Sequence, residues 1–500
     1  MQTVKIILLP LLIMLLYSCA PSLKNFDPGY KYSRQQLQED FSLLRKILEK
    51  EHPSLYWYTS KDSIDRYFDD YYRTIGDSMT EQQFGWRIIA PLTVTIHCGH
   101  TSFGMSKGYN RWANHKKFPT FPLMLKCWND TLAVTANINR KDTIFKRGTL
   151  ITSINGLNNR EMVSKMFGYM TEDGTASNVN YQRLSNNFPY YHRNIFGLSL
   201  QYRVQYLDGK GNEQTVMVPL FEFPKDSSAK MKAPASVKIS RGEKRQERLK
   251  ESRSLAIDSL NNTAVITLNT FSAGGLRKFF RQTFRYIRKT GISNVVLDLR
   301  SNGGGRINMS TLLTKYVSRV KFKVADTAFA AVKTLRPYTK YINGRFINNI
   351  GLFFLTKKKS DGLYHFGLWE RKFYKPKKLN HFGGDLFVLT NGLTFSASAL
   401  FCNAVKGQPG IKLVGEETGG GSYGNNGIMI PDITLPNTRL RVRLPLFRMV
   451  QYKHGIKDGR GIMPDIYIGT NYDALVKGFD KKMQVVMGMI KEKNAEGGRR

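Results

Sequence analysis

Three short segments carry the residue types and spacings from which chemistry could be built. Asp298-Leu299-Arg300-Ser301-Asn302-Gly303-Gly304-Gly305 closes an apolar run with three consecutive glycines. Glycine there lets the backbone approach a ligand closely and leaves N–H donors bare. Arg306-Ile307 follows the glycines in place of Lys-Ser/Thr, so a Walker-type phosphate loop is excluded. Residues 390–399 (TNGLTFSASA) set Ser396 between a predicted strand and a predicted helix. At a helix N-terminus the dipole and free N–H groups favour a developing anion. A serine in that position is ordinarily an N-cap; what distinguishes Ser396 is its company. Gly415-Glu416-Glu417-Thr418-Gly419-Gly420-Gly421 ends the next strand with a second glycine run. Upstream, Ile96-His97-Cys98-Gly99-His100-Thr101-Ser102 offers two imidazoles, whose unperturbed pKa near ~6.5 suits a base at neutral pH. Without carboxylates nearby in sequence, the His-x-x-His spacing is a weak metal signal, and no metal or organic cofactor is expected.

The elements that must position these groups fall into an α+β multidomain order. Leu37, Phe41, Leu44 and Ile47 recur at helical spacing, as do Ile64, Tyr67, Phe68 and Tyr71, which predicts a helical cap over 20–117. Residues 118–225 switch to short β-rich runs with one helical piece near 159–167, predicting a small β module. Residues 226–255 are polar and basic and read as a linker. From 256 to 475 strands (263–268, 294–299, 385–390, 411–415) alternate with helices (276–289, 312–320, 396–406), the pattern of a layered α/β domain. Residues 323–380 interrupt it as an irregular insertion, and 476–500 read as a C-terminal helix and polar tail.

Length and composition set the outer bounds. Five hundred residues with 41% hydrophobic and 12% aromatic content exclude wholesale disorder and imply several domains. Four cysteines without a CxxC pair exclude a disulfide scaffold and a zinc ribbon, and Cys98, Cys127 and Cys402 read as small buried hydrophobes. A formal charge of +38 invites a nucleic-acid reading, but the basic residues are spread along the chain. That spread is better suited to a generally basic surface near anionic lipid or glycan. Met1–Cys19 (MQTVKIILLPLLIMLLYSC) has signal-peptide layout, and Leu16-Tyr17-Ser18-Cys19 resembles a bacterial lipobox. The resemblance implies a lipidated Cys19 and a chain anchored in the bacterial envelope, on the periplasmic face or the cell surface.

In order, DLRxNGGG, TxSAS, VGExTxGG and Gly461-Ile462-Met463-Pro464-Asp465 resemble the S41 tail-specific peptidases. The resemblance implies a ClpP/crotonase-like core, a helical cap and a PDZ-like module, the last echoed by Arg147–Gly156 (RGTLITSING). It further implies a serine peptidase acting on peptide or protein substrates through an acyl-enzyme, with Ser396 as nucleophile. Gly304 and Ala397 N–H groups would hold the oxyanion.

The chain departs from the family pattern in three places. The lysine base of the C-terminal processing branch is replaced by Gly421, and Lys406 lies ten residues, about 15 Å of helical rise, from Ser396. The branch similar to the tricorn core peptidase uses a histidine from the cap instead; His100 maps to it, Asp458 to the acid that supports it, with Glu417 a competing orienter. The serine that precedes that histidine in the family is Gly99 here, which breaks the expected relay. Ala399 stands where many relatives carry glutamate. These departures leave a rival reading: an inactive relative that binds peptide or an apolar ligand.

Overall fold

The computed structural model describes residues 26–114, 116–223 and 240–497; the expected signal segment and Cys19 lie outside the described residues. Helices α1 (Arg34–Glu51) and α2 (Lys61–Arg73) open the cap. Ser33 and Gln36 form a reciprocal capping box at α1, and Leu37, Phe41, Leu44, Ile47 and Leu48 bury one stripe of it. These side chains join the interior of the α/β domain in one continuous hydrophobic core. The Asp40 carboxylate completes the join by accepting the N–H groups of Asn437 (2.9 Å) and Thr438 (2.8 Å).

Residues 123–219 build a module with a core of its own. Strands β1 (Leu123–Trp128), β2 (Thr131–Asn137) and β3 (Leu150–Ile154) precede helices α3 (Asn159–Phe167) and α4 (Asn178–Phe196). Strands β4 (Gln201–Leu207) and β5 (Glu213–Pro219) complete an antiparallel sheet of order β1-β2-β3-β4-β5. Helix α4 is absent from the sequence reading because Pro189 and many polar residues mask its periodicity. It bends at Asn187, and its buried Leu184, Phe188 and His192 follow the i, i+4 spacing.

The expected linker holds a helix, α5 (Arg241–Ser252), started by a Ser240/Glu243 capping box with no buried residue. It leads directly into strand β6 (Arg253–Asp258), so the domain begins slightly before residue 256. Strand β7 (Thr263–Leu268), helix α6 (Leu276–Thr290), strand β8 (Asn294–Asp298) and helix α7 (Ile307–Val317) follow. The 323–380 insertion is ordered: strand β9 (Ala325–Ala330) and helix α8 (Arg345–Leu355) belong to a second, five-stranded sheet and its border. Next come β10 (Asp385–Thr390), α9 (Ala397–Val405), β11 (Ile411–Gly415), β12 (Arg448–Gln451), β13 (Ile466–Tyr467) and α10 (Lys481–Gly497).

The main sheet runs β6-β7-β8-β10-β11-β13, parallel except for the β6 edge. Being covered on both faces, its strands are nearly continuous apolar runs. Helix α6 buries Leu276, Phe279, Phe280, Phe284 and Ile287 and ends on Gly291 in the left-handed conformation. On the other face α10 contributes Val486 and Ile490 against Val296, Leu389 and Val414. Ligand sites of open α/β sheets lie beyond the carboxyl ends of the strands. The glycine run after β8, Ser396 after β10 and the second glycine run after β11 all fall there.

Candidate active site

Ser396 sits at the sharp turn from β10 into α9 with φ 54° and ψ −120°, a region costly for any residue with a Cβ. The turn is clamped: Thr394 Oγ1 donates to the Leu299 carbonyl (3.0 Å) and the Phe395 N–H to the Asn302 carbonyl (3.2 Å). Gly304 and Gly420 make the clamp possible. A Cβ on Gly304 would come within 2.7 Å of Ser396 Cβ, and one on Gly420 within 3.0 Å of Ser396 N. The strain, held by surrounding backbone, aims the hydroxyl into a cavity of about 570 Å³ lined by His100, Arg183, the 303–305 glycines, Phe395, Gly427 and Arg443.

His100 reaches this cavity from the loop after the cap helices, its ring 4.7 Å from that of Phe395. Gly427 shows how near the two groups lie: a Cβ there would be 2.8 Å from Ser396 Oγ and 3.1 Å from His100 Nε2. The two atoms are therefore within about 6 Å of each other, with no direct hydrogen bond, and neither ring nitrogen of His100 has a partner among the described residues. Burial, with the positive charges of Arg443 and Arg183 adding to it, lowers the His100 pKa to about 3. The imidazole is thus held neutral, the form a base requires.

The carboxylate facing His100 is Asp173, whose Oδ1 lies 3.9 Å from Nδ1. Burial raises this carboxyl to about 6, against the opposing pull of the Gly99 and Gly421 N–H donors and of Arg183. The Gly99 N–H approaches it at 2.7 Å, and a Cβ at Gly99 would meet Phe395 at 2.7 Å and Asp173 Oδ1 at 3.1 Å. The serine missing before His100 is thus matched by a carboxylate in the space its side chain would need. Gly421, where relatives place lysine, turns its N–H to the same carboxylate.

Asp173 belongs to the loop between α3 and α4, and two neighbours fix that loop. The Gly174 N–H donates to the His97 carbonyl (2.9 Å), and His97 Nδ1 donates back to the Gly174 carbonyl (2.8 Å). Gly174, at φ +59°, packs so closely on Gly459 that a Cβ would lie 2.5 Å from its Cα. His97 is therefore a positioning residue, a role the sequence did not assign.

The structure corrects three expectations. Asp458 is exposed on the turn before Gly459, where its carboxylate accepts the Arg460 N–H (2.9 Å); it does not face His100. Glu417 is likewise engaged elsewhere, with Arg460 (3.0 Å) and the Gly461 N–H (2.7 Å). The Gly304 N–H is taken by Asn302 Oδ1 (3.0 Å), so it is not the free donor expected of it. Ala397 N–H, at the first position of α9, and the N–H groups of neighbouring Gly303 and Gly305 have no acceptor among the described residues.

Lys406 donates to the Met463 carbonyl, and Lys412 is exposed on β11. Cys98, Cys127 and Cys402 are buried free thiols, each pushed up in pKa by desolvation. Among the described residues no group of three or more His, Cys, Asp or Glu is arranged to hold a metal ion.

A layered α/β core with a glycine-lined cavity at its strand ends, a cap sharing that core and a separate β module define a multidomain α+β peptidase fold. The model of peptidase family S41 matches residues 262–468, the α/β core of the chain. Among solved structures, mature CPAF is similar with a TM-score of 0.60 at 11% identity, over 91% of this chain and 96% of that one. Mature CPAF complexed with lactacystin gives 0.60 at 11% over 93% and 98%. The photosystem II D1 C-terminal processing protease gives 0.40 at 13% over 88% and 96%. At such identities the likeness to CPAF is one of fold. No curated protein sequence matches the chain.

Proposed function

We infer that the protein is a serine peptidase acting through an acyl-enzyme on Ser396, with His100 as general base. The observation that carries this reading is the convergence of Ser396 Oγ and His100 Nε2 on one point, beside Gly427, in a cavity wide enough for a peptide. Ser396 Oγ attacks the scissile carbonyl while Nε2 takes its proton, the remaining gap closing on substrate binding or through one water. The resulting imidazolium forms next to the Asp173 carboxylate, which stabilises it and fixes the ring. The oxyanion is held by the Ala397 N–H together with one from Gly303 or Gly305. Each such donor is worth ~2.7–4 kcal/mol in the transition state. His100 then protonates the leaving amine, and water, deprotonated by the same imidazole, releases the acyl group.

The β module is proposed to present an extended peptide by strand addition, as a PDZ-like module would. Lipidation at Cys19 would hold the enzyme on the bacterial envelope, and incorporation of an alkynyl fatty acid that is lost in Cys19→Ala would test it. The catalytic reading is tested by intact-mass analysis after a fluorophosphonate probe. One adduct on the wild type, lost in Ser396→Ala and in His100→Ala, is expected. A folded wild type that takes no adduct would shift the reading to a binding-only relative, which the missing Ser396–His100 hydrogen bond favours.

A further inference from the structure

Helix α8 is inside out. A helix on a globular surface turns its apolar stripe to the core, but Phe346, Ile347, Ile350, Phe353 and Phe354 of α8 are 74, 74, 42, 55 and 77% exposed. At ~100° per residue these five occupy one arc of roughly 120°. Leu352, on the opposite side, is the one fully buried anchor of the helix. Asn349 also faces the protein, its Oδ1 accepting the Leu335 N–H (2.8 Å). The fold therefore holds α8 by the side that carries Leu352 and Asn349, and among the described residues nothing covers the five-residue apolar arc. Isolated exposed hydrophobes need no explanation, but a contiguous aromatic patch marks an interaction surface.

The charge around the patch says what kind of partner fits. Residues 331–360 contain seven Lys and Arg and no Asp or Glu. Lys333 Nζ lies 4.4 Å from the Phe353 ring centroid, and Lys357 and Lys358 follow the helix directly, both exposed. A second copy docked face to face would bring two such basic sets together, a like-charge arrangement that costs affinity. An apolar stripe rimmed by long basic side chains suits the boundary between anionic headgroups and acyl chains. Eleven residues rise only ~16 Å, about half a bilayer core, so the helix would lie in the plane of the interface and not cross it.

We propose that α8 is an interfacial helix that seats the enzyme on an anionic phospholipid surface, independently of any lipid on Cys19. Its N-cap Gly344 and the first-turn residues Ile347 and Asn348 line a cavity of about 670 Å³ together with Arg441 and Arg443. Arg443 also lines the Ser396 cavity. Seating α8 therefore sets a cavity that adjoins the Ser396 site at the lipid surface, where membrane-bound polypeptides are within reach.

The test uses residues 20–500, which retain every described contact and lack Cys19, in sedimentation with unilamellar vesicles of phosphatidylcholine alone or mixed with phosphatidylglycerol. The wild type is expected to partition onto the anionic vesicles at least ~tenfold more strongly than onto the neutral ones, and less at high salt. Phe346→Asp/Phe354→Asp is expected to lose ~tenfold or more of that binding, and Lys357→Glu/Lys358→Glu to lose most of its anionic preference. Both pairs are exposed, so melting temperatures should match the wild type. As a second measurement, an environment-sensitive dye on Ile347→Cys should shift to the blue on anionic vesicles, while the same dye on Lys278→Cys should not. Absence of wild-type binding, or binding unaltered in the Phe346/Phe354 variant, would overturn the proposal. So would a dimer that this variant dissociates while vesicle binding is unchanged.

Discussion

The serine and the histidine sides of the candidate site are built in opposite ways. Ser396 is placed by its own neighbourhood: strand β10, a tight turn and helix α9 are consecutive, and the glycines packed on it end adjacent strands of the same sheet. His100 and Asp173 are placed by assembly. One comes from the loop after the cap, the other from the β module, and the contacts that align them run through His97, Gly174 and Gly459 on three separate segments. A locally coded group is robust and readable, whereas an assembled pair exists only once the domains have packed.

Gly427→Ala should erase that distinction by disabling both sides at once. Its φ lies outside the left-handed region, so the backbone tolerates alanine, but the methyl would stand 2.8 Å from Ser396 Oγ and 3.1 Å from His100 Nε2. Probe labelling and peptide turnover should fall by ~10³-fold or more, as in Ser396→Ala, with the circular dichroism spectrum retained. Equal labelling of Gly427→Ala and wild type would mean that the groups do not meet there.

Asp173→Asn tests the assembled side alone. Turnover should drop roughly 10²–10⁴-fold, because the imidazolium loses its anion. The pH profile supplies the sign. With its carboxyl raised to about 6, Asp173 is protonated below that pH, so wild-type kcat/KM should fall as pH drops through about 6. His100, lowered to about 3, stays neutral across that range and is not the source of the limb. The limb should vanish in Asp173→Asn. A raised folded-state pKa also means that the ionised carboxylate destabilises the fold above about pH 6. The variant should therefore keep or gain thermal stability at pH 7 while losing activity, a combination a purely structural role would not produce.

Gly174→Ala acts one step further out. A side chain at φ +59° facing Gly459 at 2.5 Å should cost ~1–3 kcal/mol and displace Asp173, reducing turnover by about tenfold and lowering the melting temperature. The smallest effect belongs to Asp458→Asn. Its exposed carboxylate serves only a local turn, so activity should stay within ~twofold and the pH profile should not move. A large loss there would restore Asp458 as the supporting acid.

Much of the α/β core was legible because each strand and helix carries its own periodicity: 263–268, 385–390 and 411–415 are observed as expected. Helix α7 starts at Ile307, five residues earlier than the expected 312–320. The insertion at 323–380 hid α8, although its apolar residues already recur at helical spacing; they pointed outward, where a core-seeking reading does not look. Asp173 had no comparable signal. An Asp-Gly pair between two helices reads as a turn, and nothing in sequence ties it to a histidine seventy-three residues earlier.

Sequence alone determined the order of elements, the strand-end glycine runs, the placement of Ser396 at a helix start and the absence of a suitably spaced lysine. Such features depend on neighbours within a few residues, which hydrophobic spacing and glycine conformational freedom specify directly. Tertiary structure decided which carboxylate faces His100, that Arg460 and the Gly461 N–H engage Glu417, and that α8 shows its aromatic face to solvent. Each of these depends on distance between segments remote in the chain, and packing of the cap, the module and the core sets those distances.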